Sequence, residues 1–594
     1  MSIYDKASLV LIPSGTKTSK VYSQKPVNGD GDFTFSRSTA ATRVNADGNI
    51  EKQTGNYILY SQQIDNSYWN KYSMSVTANQ AAAPDGTTTA DLIDDGTGTG
   101  THAIEENETI GYGGAVTISI HAKYVDTQYL VLAVYDTSYK VVVFDIQNGT
   151  IGNKSLSSLI ATIEDLGSGW YRCAVTHPTN TRNNPFYAFG LRDDNVAALY
   201  TSAGSNRQAY VWGAQMEDGL VARDYIETTT AAVEGGITDN VPRLDYTDSS
   251  CPSLLLEPSR TNILEYSEYL DGVPYKSRVN ITNNAIVSPE GVQNAAKVIP
   301  TSVSGTHALD YIPSVVVSDY TMSVYAKAGE YSKFLLLTNN RGSNEAIGFD
   351  LSDASTFVND LGYATPSADA VSIEAVGNGW YRCSMKYAKD STGGSGNGIY
   401  LVNDAEQTTF VGNDSDGIYF WGWQMEAGSY QTSYIPTYGT SVTRNNDETD
   451  VTGLQSKGIL SSTQGTMFFH ITDIEGTAVV FNAQTANDLS YALRFIARDN
   501  GFQTFQRVND VQTTIRGTSS LTLSEWKIAM SWNGTNLITS LNGTSYIDTI
   551  DASIASQLDA VKRVNPQAIY VTTNQILVFP TQLTEAELND LTTL

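Results

Sequence analysis

The sequence predicts an all-β fold made of several β-sandwich or jelly-roll domains. Charged residues make up only 17% of the 594 residues, and 35 tyrosines stand among many threonines, serines, asparagines and glycines. This composition favours strands over long helices, which are rich in alanine, glutamate, lysine and leucine. Short runs of alternating apolar and polar residues, separated by turn signals, recur along the chain and are typical of sandwiches.

Two domains of the chain are homologous to each other. The segment Gly167–Cys173 (GSGWYRC) returns as Gly377–Cys383 (GNGWYRC), and Tyr210–Glu217 (YVWGAQME) returns as Tyr419–Glu426 (YFWGWQME). The matching segments keep their order, at shifts of 210 and 209 residues. A period of this length indicates a duplicated domain rather than a solenoid of small repeats.

The predicted organisation has five parts. One of them, which we call the strap, is an extended connection between the two repeats, and it is recognised by prolines near both ends and by the lack of clear periodicity. The parts are an extended N-terminal segment over 1–50, a β-sandwich repeat over 51–235, the strap over 236–256, a second repeat over 257–445 and a third domain over 446–594.

The third domain is a sandwich of a different kind. Its strands are separated by Asn-Gly dipeptides, which are strong hairpin turn signals. Near its end, Thr584 and Glu587 have the spacing of a capping box, which predicts one terminal helix. Trp526 and Trp532 fall in an alternating strand, and we predict that both lie in the core.

The acidic composition excludes nucleic acid as a partner and disfavours anionic membranes. The chain has 36 lysines and arginines against 63 aspartates and glutamates, a net charge of −27. Binding to nucleic acid or to anionic membranes rests on a surplus of positive charge.

The sequence contains no secretory signal and no transmembrane segment, and its three cysteines cannot form a disulfide scaffold. We therefore expect a protein made and folded in a cytoplasm.

Several motifs resemble bacteriophage proteins. The stretch Phe33–Glu51 (FTFSRSTAATRVNADGNIE) resembles the opening of many virion appendage proteins, the tail or head fibres, and Val241–Tyr246 with Leu254–Leu264 resembles another passage of them. The Gly-Trp-Tyr-Arg motifs resemble carbohydrate-binding-module-like jelly rolls. The C-terminal block is similar to concanavalin A-like (laminin G-type) sandwiches.

The resemblance implies a virion protein, in a tail or capsid appendage, made in the cytoplasm of a host bacterium. It implies that residues 1–50 attach the chain to other virion proteins and that the sandwiches adhere to host cell-surface glycans. A homo-oligomer is expected, a trimer by analogy with fibres. Two alternatives remain open: a purely structural capsid, head or collar decoration protein, and a polysaccharide-degrading tail enzyme.

Trp423 is the candidate carbohydrate contact. The first repeat has Ala214 at the matching position, so the fold does not require a large ring there. Strand alternation places Trp423 on the same face as Trp421, where its ring would either stack on a sugar or serve as a packing or subunit contact. The tryptophans that both repeats share are predicted to be core residues: Trp170, Trp212, Trp380 and Trp421.

We predict no catalytic residues, no metal site and no cofactor, and therefore no enzyme. The sequence has no G-x-S-x-G nucleophile motif, and its five histidines lack metal-ligand spacing. Acidic turns such as Asn413–Gly417 leave a structural calcium ion open as an alternative. Glu217 and Glu426, which both repeats share, are predicted to be strand-end carboxylates that accept hydrogen bonds. A degrading enzyme would need a pair of carboxylates in a cleft.

Overall fold

The computed structural model describes most of the chain as strands. The described residues are 2–106, 114–181, 186–199, 204–339, 344–389, 393–394, 396–475, 478–486, 488–498, 501–519, 525–563 and 570–593. Within these ranges the helices are two short α-helices and three 3-10 turns: Ile3–Lys6, Glu585–Thr592, Leu270–Gly272, Ala368–Ala370 and Ala555–Gln557. The predicted all-β sandwich fold is confirmed. None of the described helices has the length and apolar character needed to cross a membrane.

The first repeat is a sandwich of two six-stranded sheets, which we call sandwich 1. The sheet that carries Trp170 and Trp212 is its tryptophan sheet, and the other is its tyrosine sheet. In spatial order, the tryptophan sheet contains Ile160–Gly167, Trp170–Asn180, Gly114–Tyr124, Gln208–Asp218, Ala90–Asp94 and Ser75–Ala81. The tyrosine sheet contains Thr150–Lys154, Tyr139–Asp145, Tyr129–Tyr135, Phe186–Arg192, Ala103–Glu105 and Asn70–Tyr72.

The second repeat, sandwich 2, has the same two sheets. Its tryptophan sheet contains Val279–Ile286, Ala295–Pro300, Ile418–Ala427, Ser318–Lys327, Trp380–Lys389 and Val371–Ala375. Its tyrosine sheet contains Tyr275–Ser277, Gly305–Tyr311, Gly396–Leu401, Lys333–Asn339, Asn344–Asp350 and Ser355–Val358, and Thr409–Phe410 pairs with Gly305–Tyr311. In each repeat the apolar core lies between the two sheets.

The C-terminal sandwich is larger and has an eight-stranded and a nine-stranded sheet. The first contains Arg243–Asp245, Ser253–Leu256, Tyr570–Phe579, Gln464–Glu475, Glu525–Asn533, Asn536–Leu541 and Thr544–Thr549, with Leu9–Leu11 paired to Tyr570–Phe579. The second contains Thr16–Lys17, Lys20–Val21, Phe33–Ser36, Glu448–Thr452, Ala560–Arg563, Ala478–Gln484, Ala492–Arg498, Gly501–Val508 and Val511–Ser519.

Short two-stranded sheets pair segments that lie outside the larger sheets. They pair Thr54–Asn56 with Val233–Gly235, Arg260–Asn262 with Val442–Arg444, Arg43–Val44 with Ile50–Glu51, and Ser314–Val315 with Gly393–Gly394. The predicted terminal helix is confirmed. Thr584 is its N-cap, the capping box with Glu587 is formed, and Leu588 packs on the eight-stranded sheet.

The N-terminal segment is part of the C-terminal sandwich. Leu9–Leu11 pairs with Tyr570–Phe579, and Phe33–Ser36 pairs with Glu448–Thr452. Its buried side chains in the core of that sandwich are Leu9, Leu11, Val21, Phe33 and Phe35. This corrects the expectation of a segment that extends away from the sandwiches. The apolar residues that alternate along these strands must be buried against a second sheet, and the C-terminal part of the same chain supplies that sheet.

The strap also enters the C-terminal sandwich. Ser253–Leu256 pairs with Tyr570–Phe579, and Arg243–Asp245 pairs with Ser253–Leu256 as the outermost strand of that sheet. Leu254 and Leu256 are fully buried in its core. The C-terminal sandwich is therefore assembled from three distant segments of the chain, and the two repeats are inserted between them.

Buried charges join these segments, in a cluster that we call the ionic junction: Arg37, Arg243, Glu257, Arg444, Asp447 and Arg563. Asp447 binds Arg243, and its Oδ1 lies 3.0 Å from Nη1 of Arg37. Oε2 of Glu257 lies 2.5 Å from Nη1 of both Arg243 and Arg444. The motifs that resemble virion appendage proteins thus supply Arg37, Arg243 and Glu257 to one buried cluster.

A second buried cluster joins the two repeats. Lys52 Nζ lies 2.7 Å from Oε1 of Glu268 and 2.8 Å from Oε2 of Glu290. Arg223 of sandwich 1 reaches the same Glu290 at 2.6 Å, and the Tyr438 hydroxyl lies 2.6 Å from Lys52 Nζ. Removing one partner of such a buried ion pair would leave the other charge buried and without compensation.

A β-bulge interrupts one strand of the tryptophan sheet in both repeats. In sandwich 2, Gly422 and Trp423 lie together opposite the single residue Val324, and Gly422 has φ +63°. Gly213 of sandwich 1 has φ +64° at the matching bulge. The extra residue changes the alternation, so Trp421 lies on the outer surface of the sheet while Trp423 lies in the core.

Replacing the bulge glycine is expected to destabilise sandwich 2. In Gly422→Ala, the new Cβ would lie 2.8 Å from Cδ2 of Tyr325 and would have to keep φ +63°. Gly377→Ala is the matched control, since Gly377 has φ +88° and open space around a Cβ. Denaturant unfolding should show a loss of about 1–2 kcal/mol for Gly377→Ala and a larger loss for Gly422→Ala. Equal losses would contradict the close contact with Tyr325.

Candidate functional site

The candidate carbohydrate contact Trp423 is buried. Its side chain is 0% exposed and packs in the core of sandwich 2 with Phe420 and Met425. This burial corrects the expectation that Trp423 offers a ring face to a sugar. The expectation assumed unbroken strand alternation, which the bulge at Gly422 removes. At the same place in sandwich 1, Ala214 is also a core residue.

The four tryptophans that both repeats share are confirmed as buried residues, at 0–4% exposure: Trp170, Trp212, Trp380 and Trp421. They lie on the outer surface of the tryptophan sheets in small apolar clusters, and a tyrosine covers Trp212 and Trp421. The ring centroids of Trp212 and Tyr225 are 4.5 Å apart, and Trp421 and Tyr434 repeat the same distance. The tryptophan rings are therefore covered by the chain itself and offer no face to a ligand.

The outer surface of the tyrosine sheets is different, because it carries a carboxylate at the same place in both repeats. Glu105 and Asp310 follow the matching Thr-His-Ala motifs at a shift of 205 residues. The hydroxyl of Tyr139 donates to Glu105 in sandwich 1. In sandwich 2 the Tyr400 hydroxyl donates to Oδ2 of Asp310 at 3.3 Å.

The donor tyrosine comes from a different strand in each repeat. Tyr139 begins the strand Tyr139–Asp145, whereas Tyr400 lies in Gly396–Leu401, where sandwich 1 has Gly190. The tyrosine–carboxylate pair is thus present in both repeats although the fold does not fix the position of the tyrosine. A pair required only for packing would be expected to use the same position twice.

Burial sets the charge state of this site. It raises the pKa of Asp310 to about 6, and the hydrogen bond from Tyr400 acts in the opposite direction. Asp310 is therefore mainly ionised at neutral pH. A carboxylate has about four lone-pair positions, so Asp310 can accept further hydrogen bonds from a ligand beside the one from Tyr400.

Aromatic rings surround the pair in sandwich 1. Tyr135 stacks on Phe186 with centroids 5.4 Å apart, and its ring meets Tyr139 edge-on at 5.0 Å. Tyr72, on the neighbouring edge strand, is 43% exposed. These rings form an amphipathic surface next to Glu105, because each presents an apolar ring and the tyrosines add hydroxyl groups.

In sandwich 2, glycines let two rings approach the sheet closely. A Cβ on Gly398 would lie 2.5 Å from Cε2 of Tyr400, and one on Gly348 would lie 2.3 Å from the ring of Phe357. Glycine in a strand often marks such a close approach. Tyr275 stands opposite Asp310 in the sheet and is 54% exposed. Rings and a carboxylate side by side suit a ligand with both C–H faces and hydroxyl groups.

The other acidic side chains that the sequence offered as candidate catalytic or metal-binding groups have structural roles. Glu217 and Glu426 are buried and accept hydrogen bonds from Gln215 and Gln424 at 2.7 and 2.8 Å, as predicted. In the turn Asn413–Gly417, the side chain of Asn413 bonds to residues of the turn itself. Within the described ranges, no three histidine, cysteine, aspartate or glutamate side chains are grouped to hold a metal ion.

No protein-family model and no curated protein matches the chain. Solved structures that resemble it include a tandem CBM22 domain of Paenibacillus barcinonensis Xyn10C, with 12% identity, a TM-score of 0.20, and 63% of this chain and 97% of that one covered. Domains LG4-5 of the mouse laminin alpha1 chain show 9% identity, a TM-score of 0.16 and coverages of 48% and 92%.

The binding domain of botulinum neurotoxin DC, in complex with rat synaptotagmin II, shows 11% identity and a TM-score of 0.20 over 25% of this chain. The chain matches 40% of the length of that domain.

Sequence reasoning missed the tyrosine–carboxylate pairs. The signal that points to the acids was available, since Glu105 and Asp310 stand two residues after the alanine of the repeated Thr-His-Ala motif. The tyrosines could not be found in this way. Tyr139 and Tyr400 occupy unrelated positions in the two repeats, and only the folded sheets bring them to the acids.

Proposed function

We propose that this protein is an adhesin that binds glycans on the outer surfaces of its two tyrosine sheets. The observation that carries the proposal is the tyrosine–carboxylate pair at the same place in both sandwiches, Tyr139 with Glu105 and Tyr400 with Asp310. The rings offer apolar faces for the C–H groups of a sugar, and the carboxylates accept hydrogen bonds from its hydroxyl groups.

Two linked sites of this kind would act together. Glu105 is buried at 7% exposure and Asp310 is half-buried, so each site would offer a sugar only a small contact, and the affinity of a single site would be low. When one sandwich has bound, the second site meets the same surface at a high effective concentration, and the overall affinity rises without a new contact. Further copies of the chain in a homo-oligomer, a trimer by analogy with fibres, would extend the same effect.

We propose a bacteriophage virion as the setting, as a tail or capsid appendage that adheres to the host cell surface. The support is the sequence resemblance of Phe33–Glu51 and of the strap. Neighbouring virion proteins would then contact surfaces other than the apolar strands of the N-terminal segment, because those strands are occupied within the chain.

A purely structural role is the second candidate, and one feature favours it. Three apolar side chains that are close in the sequence of sandwich 2 are exposed: Ile312 at 50%, Val316 at 64% and Val317 at 57%. Exposed apolar patches are typical of contacts with other proteins. A decoration protein would use such patches and would bind no sugar.

A glycan array with the full chain tests the proposal. Asp310→Asn and Tyr275→Ala are each expected to weaken binding of the responding glycans about tenfold, equivalent to about 1.4 kcal/mol. Tyr124→Ala is the matched control, since Tyr124 is 37% exposed but lies at the end of a strand of the tryptophan sheet. No binding by a folded protein would favour the structural role. Binding that both variants retain in full would place the glycan site elsewhere.

A further inference from the structure

A cavity of about 440 Å³ lies between the strap and the outer surface of the eight-stranded sheet in the C-terminal sandwich. The strap contributes Asp248 and Cys251, and the sheet contributes His470, Glu525 and Asn574. Ile12 of the N-terminal segment completes the wall. The volume falls in the range of about 300–1,000 Å³ that is typical of small-molecule sites. The cavity exists only when all three segments of the sandwich are assembled.

The cavity has an excess of negative charge. Nε2 of His470 lies 2.6 Å from Oε1 of Glu525. Burial lowers the pKa of His470 below its usual value, although Glu525 acts in the opposite direction, so the imidazole is neutral at neutral pH. The described residues that line the cavity include no lysine or arginine. Lys527 Nζ comes no closer to Glu525 than 4.0 Å and is not part of the lining.

The lining combines acids with groups suited to hydroxyls. Beside the carboxylates of Asp248 and Glu525, it offers the hydroxyl of Thr472 and the side-chain amide of Asn574, with Ile12 as an apolar wall. Pockets that recognise small molecules commonly pair a few placed polar groups with apolar surface. Carboxylates disfavour an anionic ligand and attract an ammonium group.

We propose that this cavity binds an amino sugar, with its ammonium group near Glu525 and Asp248 and its hydroxyls toward Thr472 and Asn574. The inference takes its ligand class from the proposed glycan adhesion, but the site is separate from the tyrosine sheets. It gives the C-terminal sandwich a ligand of its own, distinguished by charge from neutral and acidic sugars.

Cys251 provides a direct measurement of occupancy. It is the exposed cysteine of the three, whereas Cys173 and Cys383 are 0% exposed and burial raises the pKa of both thiols. A disulfide reagent such as Ellman's reagent should therefore react first with Cys251 in the folded chain. A ligand in the cavity covers this thiol and slows its reaction.

The experiment measures the reaction rate of Cys251 in the full chain with glucosamine, glucose, glucuronate or lysine present. Glucosamine is expected to slow the reaction about threefold at twice its dissociation constant, by mass action. Glucose should protect less at the same concentration, and glucuronate and lysine should leave the rate unchanged. Absence of protection by glucosamine would overturn the proposal, and so would equal protection by glucuronate or by lysine.

Variants connect the protection to the cavity. Glu525→Gln and Asp248→Asn are each expected to abolish the advantage of glucosamine over glucose, and either suffices if the other fails to fold. Asp239→Asn is the matched control, since Asp239 is an exposed strap residue outside the lining. Tyr275→Ala should leave the protection of Cys251 intact. If glucosamine does not protect Cys251 but the glycan array is positive, only the cavity site is rejected. If glucosamine protects Cys251 but the variants of the tyrosine sheet leave glycan binding unchanged, only the site on the tyrosine sheets is rejected.

Discussion

Removal of residues 1–36 is expected to unfold the C-terminal sandwich while the two repeats stay folded. The deletion takes away the strands Leu9–Leu11, Lys20–Val21 and Phe33–Ser36 together with their buried side chains. Burial of five large apolar side chains contributes on the order of 10 kcal/mol. That equals the entire stability of a typical domain, which is about 5–15 kcal/mol. Sandwich 1 and sandwich 2 keep their own separate cores.

Limited proteolysis with mass spectrometry measures this outcome. Cleavage is expected to concentrate within 446–594 in the shortened chain, while 54–235 and 260–440 remain protected. A peptide of residues 7–36 added in trans should restore protection. Phe33→Ala tests the same contact in the full chain, with Thr34→Ala as its control, because Thr34 lies exposed on the same strand. A C-terminal sandwich that resists proteolysis without residues 1–36 would contradict the prediction.

Asp447→Asn is expected to cost about 3–5 kcal/mol of stability, as is typical when one partner of a buried ion pair is removed. The carboxylate of Asp447 contacts Arg37 and Arg243, and all three side chains are 0% exposed. Without it, only Glu257 would balance four buried arginines in the junction. Denaturant unfolding at neutral pH measures the loss.

Asp450→Asn is the matched control for this variant. Asp450 lies three residues further on and forms an ion pair with Lys562, in which the side chains are 29% and 27% exposed. A surface pair of this kind contributes about 0–1 kcal/mol. Equal losses in the two variants would show that the ionic junction does not hold the segments together.

The junction also predicts sensitivity to acid. Burial alone would raise the pKa of Asp447, but Arg243 and Arg37 outweigh it and hold this pKa at about 2. Arg444 and Arg243 likewise outweigh burial and hold the pKa of Glu257 at about 2. Because both values are depressed, the stabilisation is complete above about pH 4–5 and is lost as the pH falls toward 2. Asp447→Asn should show a weaker loss over this interval.

Local sequence patterns predicted the strands and the helix of this fold. They did not predict which strands pair when the partners lie far apart in the sequence. Alternation and turn signals predicted the sandwiches, and the capping box at Thr584 predicted the terminal helix. The same alternation is present at Leu9–Leu11 and Phe33–Ser36, but their partner strands lie more than 400 residues away. Pairing over such a separation leaves no local signal, so the segment could not be assigned to its sandwich.

The candidate site shows a second limit. The prediction for Trp423 failed at one bulge, since a single added residue reverses the face of every side chain beyond it. Glu105 and Asp310 can be recognised as matching acids because both follow the repeated Thr-His-Ala motif, whereas a tyrosine that is present in only one copy leaves no such signal. Tyr139 and Tyr400 are residues of this kind. Their role becomes visible only when the sheets place each hydroxyl on its carboxylate.

Assembly of the C-terminal sandwich from distant segments has a consequence for synthesis on the ribosome. The strand Leu9–Leu11 leaves the ribosome long before its partner Tyr570–Phe579 is made, because more than 550 residues separate them in the sequence. At roughly 5–20 residues per second, the early strand waits between about half a minute and two minutes. During this time its apolar edge is open to other nascent chains. The cell must therefore either shield this segment or make the protein at a low local concentration.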